Sequence, residues 1–316
     1  MIEITKNTTN RLSLSRNYTN VLKFLTSLLI ASHHFCGVYY SYTDNKSFLL
    51  RAMVTMGGVI GVNLFFFLSG YGLMMSEKKK HLSFYAFIRK RLIKVYLPAV
   101  LVGVFGTALF HFAYHQEQNL REAVFNILLL NSDNVFWFLQ VLIILYVVFG
   151  VSTQIMTHNK IAGTLSLIVL TLFVSVADWY MDVDYHATNI PAFAFGCLVA
   201  LFDEKTFALL NSKKSVLTML LVTIVLVFSL KDSIFWFHAL AAYTVVVIII
   251  VTSAFIRIDV SNTKLMGDLS YDIYLIHNKV NYLTLMMEGK LLYLWYMAIV
   301  MAASLIFNKI RKILHI

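Results

Sequence analysis

Apolar residues in this chain come in blocks of about 18–22, the length an α-helix needs to cross the hydrocarbon core of a bilayer. The blocks fall at roughly 21–40, 56–76, 97–114, 136–156, 162–180, 188–202, 215–230, 237–256, 268–287 and 291–308. Of the 316 residues, 59% are hydrophobic and 13% charged. Mean hydropathy is +0.74. Such a chain lacks the polar surface to cover a soluble domain. Period-2 alternation is absent, so helices are expected rather than a lipid-embedded barrel. The expected fold is all-α: a polytopic membrane helix bundle of about ten transmembrane helices. The sequence reads as one domain over residues 1–316.

The net charge of +10 would suggest nucleic acid in a soluble protein. Here loop charge that sets topology explains it better. With the N-terminus inside and the spans alternating, inside segments carry 19 basic residues and outside loops carry 5. This bias predicts that both termini are cytoplasmic. Residues 1–20 are expected to be a polar cytoplasmic segment, not a cleavable signal, because no apolar h-region follows the basic part. Residues 77–96 read as a basic interfacial segment on the same side. The stretch 120–135 is too short to span and is expected to be re-entrant or interfacial. Cys36 and Cys197 both lie in apolar segments, which suggests neither a disulfide framework nor a metal site.

Ionisable groups inside a bilayer are costly, so each is a candidate for function. The first span contains Lys23, His33 and His34. Lys23 and His34 are eleven residues apart. Eleven steps of 100° return to within about 20° of the start, so both face one way, about 16 Å apart along the axis. Ser27 lies on the same stripe. In the interfacial segment, Phe84, Phe87, Ile88, Leu92 and Val95 form an apolar stripe. Arg89, Lys90 and Lys94 lie off it, whereas Arg91 falls inside it and calls for an anionic partner. The ninth span is the most polar. Ser270, Tyr274, His277 and Asn281 share one face, with Asp272 and Lys279 roughly opposite. Such a face lines a cavity or packs on polar neighbours. In the second span, Gly57, Gly58, Gly61, Gly70 and Gly72 permit close helix approach. Ser69 reads as a packing or hydrogen-bonding serine, because no local base accompanies it.

At these residues the sequence resembles the family-3 membrane acyltransferases, of the polysaccharide O-acetyltransferase type. Lys23 before His34 looks like the family's basic residue eleven before a histidine, where the family has arginine. GVNLFFFLSGY (61–71) is similar to its Phe-rich segment ending in Leu-Ser-Gly-aromatic. RKRLIKVYLP (89–98) is similar to its basic run before a proline, with Lys94 where arginine is commoner. The Trp-Phe-Leu of 137–139 and LSYDIYLIH (269–277) complete the series in order.

The resemblance implies a membrane enzyme that takes an acyl group, acetyl by default, from cytoplasmic acyl-CoA. The acceptor would be an extracytoplasmic glycan or lipid-linked sugar, and the location the inner cell membrane. His34 would be central to catalysis, with His33, His277 and Tyr274 as further candidates. Lys23, Arg89, Arg91 and Lys94 would hold the donor's phosphates. Ser69, Tyr71, Trp137, Ser270, Tyr271 and Asp272 would support the substrate or the site. Acetyl-CoA would be a substrate, with no permanently bound cofactor and no metal. Expected partners are acyl-CoA, the glycan and membrane lipids, but not nucleic acid. Two other classes use the same groups: a proton-coupled transporter or flippase, and an inactive relative that scaffolds polysaccharide assembly.

Overall fold

The computed structural model describes residues 2–4, 14–42, 47–114, 119–128, 130, 137–181, 186–203, 234–253, 256–258, 262–285 and 292–316. The protein is a polytopic membrane helix bundle. Its elements in order are β1 (Ile2–Ile4), α1 (Arg16–Tyr42), α2 (Phe48–Ala52), α3 (Gly58–Lys79), α4 (Phe84–Arg91), α5 (Leu97–Tyr114) and α6 (Leu120–Ile127). There follow α7 (Trp137–His158), α8 (Lys160–Met181), α9 (His186–Asn189), α10 (Pro191–Leu201), α11 (Ile234–Ser253), β2 (Ile256–Ile258), α12 (Thr263–Leu285) and α13 (Leu292–Ile313). The two strands pair antiparallel, Ile2 opposite Ile258.

Among the described residues, six helices are long and apolar enough to cross a membrane. They are Arg16–Ser41, Phe48–Lys79, Phe84–Ala108, Trp137–His158, Lys160–Tyr180 and Leu292–Ile313. Ala187–Leu201 and Ala239–Ser253 are shorter apolar helices. The expected span 215–230 lies outside the described residues. The expected span 268–287 is helical up to Leu285 but is not among the six, because its polar residues lower its hydropathy.

Two π turns join helices that sequence alone separates. Met53–Gly57 links α2 to α3, and Leu92–Tyr96 links α4 to α5. The basic segment therefore runs into the third span without a break. Pro98 has no N–H to offer the carbonyl of Lys94. The wider turn just before it closes instead with Leu97 N–H on the Leu92 carbonyl. The stretch near 120 forms α6, eight residues capped by the Asn119 side chain. At about 12 Å it is too short to span. Asn159 similarly caps α8, accepting from Ile161 and Ala162 N–H at 3.0 Å each.

The helices fall into two compact units. One comprises Met1–His81 with Ile168–Ser270; the other comprises Leu82–Leu167 with Tyr271–Ile316. In the first unit α3 and α10 meet backbone to backbone. A β-carbon on Gly70 would collide with the Phe193 carbonyl oxygen, and one on Gly196 with that of Phe67. The Cys197 thiol donates to the Gly70 carbonyl at 3.3 Å. Phe66, Phe67 and Phe193 fill the surrounding core. In the second unit Phe87 is buried beside Phe149, with ring centroids 5.3 Å apart. Gly150 leaves room there for Phe84 and Phe87.

Candidate functional site

Helix α1 is unbroken from Arg16 to Tyr42, so the eleven-residue spacing does place Lys23 and His34 on one face. Both are half-buried. The Lys23 ammonium lies beside α3: a β-carbon on Gly72 would stand 3.9 Å from its Nζ. The first two sequence motifs therefore meet in space. Ser27 is fully buried and spends its hydroxyl on the Phe24 carbonyl at 2.7 Å.

The two histidines differ in setting. The His33 Nδ1 is 3.1 Å from the Met53 carbonyl oxygen. A carbonyl only accepts, so Nδ1 carries the proton and the neutral ring keeps its lone pair on Nε2. Met53 opens the first π turn, and the imidazole rests on the glycines that close it. A β-carbon on Gly58 would lie 2.6 Å from His33 Nε2, and one on Gly57 would lie 3.1 Å from His33 Cβ. The His34 ring stands edge-on to His33, with centroids 4.9 Å apart and planes at 70°. π turns within helices recur at functional sites.

Three of the supporting candidates belong to the same unit. Tyr71 is buried, and its hydroxyl accepts from Leu14 N–H at 2.7 Å. Ser69 is half-buried on α3. Ser270 is buried and donates to the Gly267 carbonyl at 2.7 Å.

The other candidates belong to the second unit. Arg89 and Lys94 are exposed and line a shallow groove with Tyr85, Ala86, Lys90 and Ile93. Arg91 points with the apolar stripe, as its position requires. Its guanidinium lies over the rings of Phe87 (5.3 Å) and Tyr146 (5.8 Å). Aromatic faces thus supply part of the electron density that the sequence assigned to an anion. Arg91 Nε is buried and has no hydrogen-bond partner among the described residues.

The polar face of α12 is buried at Ser270, Tyr274, His277 and Asn281. Rings run in a string from Trp137 to Phe138, then Tyr274, then His277. His277 Nδ1 donates within its own helix to the Tyr274 carbonyl at 2.7 Å. In the neutral ring Nε2 is then an acceptor. Tyr271 donates to the Val95 carbonyl, in the second π turn, at 2.5 Å.

Asp272 takes its counter-ion from α13 and not from Lys279 on its own helix. Asp272 is 0% exposed and is ion-paired with Arg311, whose Nε stands 2.7 Å from Oδ1 and whose Nη2 donates to Oδ2 at 3.0 Å. Asn308 also donates to Oδ2, at 2.7 Å. The Lys279 side chain instead lies across Gly106.

Sequence reasoning missed Arg311 because it counted the chain beyond 308 as a cytoplasmic segment, and it passed over Asn308 at the last position of the tenth span. Helix α13 continues to Ile313. A signal was present: Tyr296, Val300, Ser304, Phe307, Asn308 and Arg311 recur at helical spacing on one face. A buried amide pair was also missed, Asn63 Nδ2 to Asn189 Oδ1 at 3.2 Å.

A model of the family described as "Acyltransferase domain" matches residues 16–308. The chain belongs to this acyltransferase family. The match starts with α1 and stops within α13, so it takes in every candidate residue. Comparison with curated proteins and with solved structures gives no match. This acyltransferase is thus a multi-pass membrane protein whose family and fold agree. Donor and acceptor must be argued from its own residues.

Proposed function

We propose that this acyltransferase moves an acetyl group from cytoplasmic acetyl-CoA to a hydroxyl of an extracytoplasmic or lipid-linked glycan, in the cell's inner membrane. The observation that carries the reading is His34 on an unbroken apolar helix, one face and about 16 Å from Lys23. An imidazole held in a membrane helix is costly, and proton transfer at a reacting hydroxyl is a use that offsets the cost.

In this reading His34 takes the proton of the acceptor hydroxyl as the oxygen attacks the thioester carbonyl. The C–O bond forms and the C–S bond breaks. The thiolate leaves and takes the proton from the His34 imidazolium, which gives CoA and restores the neutral base. Such a base contributes about 10²–10⁴ in rate. The phosphates of the donor fall to Arg89 and Lys94 on their exposed face, with Arg91 as a further cation of that unit; Lys23, in the other unit, is a separate candidate. Lys23 and Lys94 each offer a point charge rather than the two-pronged fork of arginine. The excess of basic residues on alternate loops supports a cytoplasmic donor side and two cytoplasmic termini.

The test uses inside-out membrane vesicles that contain the protein or its His34→Ala variant. They receive labelled acetyl-CoA and the host's surface glycans. The expected result is label on the glycan with the native protein, its loss in the variant at equal insertion, and its release by mild base. Undiminished transfer by His34→Ala would refute the assignment of the base.

A further inference from the structure

We propose that His33 is a positioning residue: anchored to the Met53 carbonyl and seated on Gly58, it holds the His34 ring in its working orientation. The inference rests on the reading of His34 as the base.

Consecutive residues on a helix are turned by about 100°, so His33 and His34 cannot address the same reacting atom in the same way. His33 faces the π turn. Its Nδ1 proton is spent on the Met53 carbonyl at 3.1 Å. Its Nε2 lies over Gly58, where a β-carbon would approach to 2.6 Å. Cδ2 and Cε1 of the same ring would be 2.9 and 3.0 Å from that carbon. The imidazole therefore lies along the glycine backbone, fixed at one nitrogen and supported across its width. A ring held in that way is a poor proton carrier and a good buttress.

What it buttresses is His34, whose ring packs edge-on at 4.9 Å. A histidine side chain has several staggered χ1 wells. A fixed neighbouring ring removes some of them. General-base catalysis needs the imidazole aimed within tight limits, and misplacement by about 1 Å can cost about 10²-fold. The Gly57–Gly58 pair and the π turn then have a joint purpose. The turn brings the Met53 carbonyl to Nδ1, and the two glycines leave room for the ring.

Side-chain geometry supplies the test. Asparagine places its amide N–H where His33 carries Nδ1–H. Glutamine reaches the position of Nε2 instead, and leucine offers no donor. Initial rates are measured against acetyl-CoA concentration in inside-out vesicles with the host's surface glycans. Insertion of each variant is checked by its amount in the membrane and its elution in detergent.

His33→Leu and His33→Gln are expected to lose about 10- to 100-fold in kcat with KM for acetyl-CoA unchanged. His33→Asn is expected to recover most of that loss. Gly58→Ala, which leaves both histidines intact but fills the seat, is expected to repeat the kcat loss. If His33→Asn is as impaired as His33→Leu, the anchor to the Met53 carbonyl is not what holds His34 and the positioning role is overturned. The role is equally overturned if His33→Leu matches the native protein, or if KM rises at constant kcat. A His34→Ala protein that still turns over would instead refute the base assignment. That pattern is distinct from any failure within the His33 series.

Discussion

At the scale of single residues, helical spacing told which side chains share a face but not what they touch. Ser270, Tyr274, His277 and Asn281 were legible as one polar stripe, and all four are buried. The partner of Asp272 was not legible, because Arg311 is 39 positions away and only packing brings them together. The pair makes a sharp prediction. Asp272 is 0% exposed and the Arg311 side chain 12%, so removal of either leaves an uncompensated buried charge. Asp272→Ala and Arg311→Ala should each destabilise by about 3–5 kcal/mol. The double variant should lose clearly less than the sum, because it buries no lone ion. Thermal unfolding in detergent measures all three. Additive losses would show that the two charges are not coupled. Arg91 teaches a related lesson. Its inward direction followed from the stripe, but the rings of Phe87 and Tyr146 that receive it are set by tertiary contact.

At the scale of elements, long apolar blocks gave helices whose ends moved by a few residues. The blocks at 136–156 and 162–180 became Trp137–His158 and Lys160–Met181. The two π turns escaped the reading, because each is a single turn inside a continuous helix and no residue type marks it. The glycines of the second span carried information that only packing resolves. Gly70 and Gly196 each stand against a carbonyl of the opposing helix, so an added methyl meets backbone rather than a flexible side chain. Gly70→Ala and Gly196→Ala should each destabilise by about 1–3 kcal/mol. Gly37, in α1, has nothing within 4 Å of its would-be β-carbon. Gly37→Ala should therefore be neutral or stabilising by up to about 1 kcal/mol, the ordinary preference of a helix for alanine. Melting temperatures in one detergent decide the comparison. A loss at Gly37 equal to that at Gly70 would show that helix propensity, not the crossing, sets the effect.

At the scale of the whole molecule, topology decides whether the proposed chemistry is feasible, since acyl-CoA is cytoplasmic. Phe48–Lys79 is one continuous apolar helix of 32 residues. At 1.5 Å per residue it is about 48 Å long, enough to cross a core of about 30 Å and emerge on both sides. Leu49 near its start and Lys79 at its end are both exposed. Charge bias predicts that Lys79 faces the cytoplasm, with the basic helix α4 following after only four residues. Single cysteines at the two positions can be read by a membrane-impermeant maleimide, once Cys36 and Cys197 are replaced by serine. Serine at 197 retains a donor for the Gly70 carbonyl, so the crossing of α3 and α10 should survive. Lys79→Cys should react in inside-out vesicles and stay silent in intact cells, and Leu49→Cys should do the reverse. The opposite pattern would put Arg89 and Lys94 on the face that acyl-CoA never reaches. The cytoplasmic donor would then fall, even though the family and the helix bundle would stand. Reaction of both cysteines from one side would show instead that this helix does not cross the membrane, and the count of basic residues by side would have to be drawn again from that point.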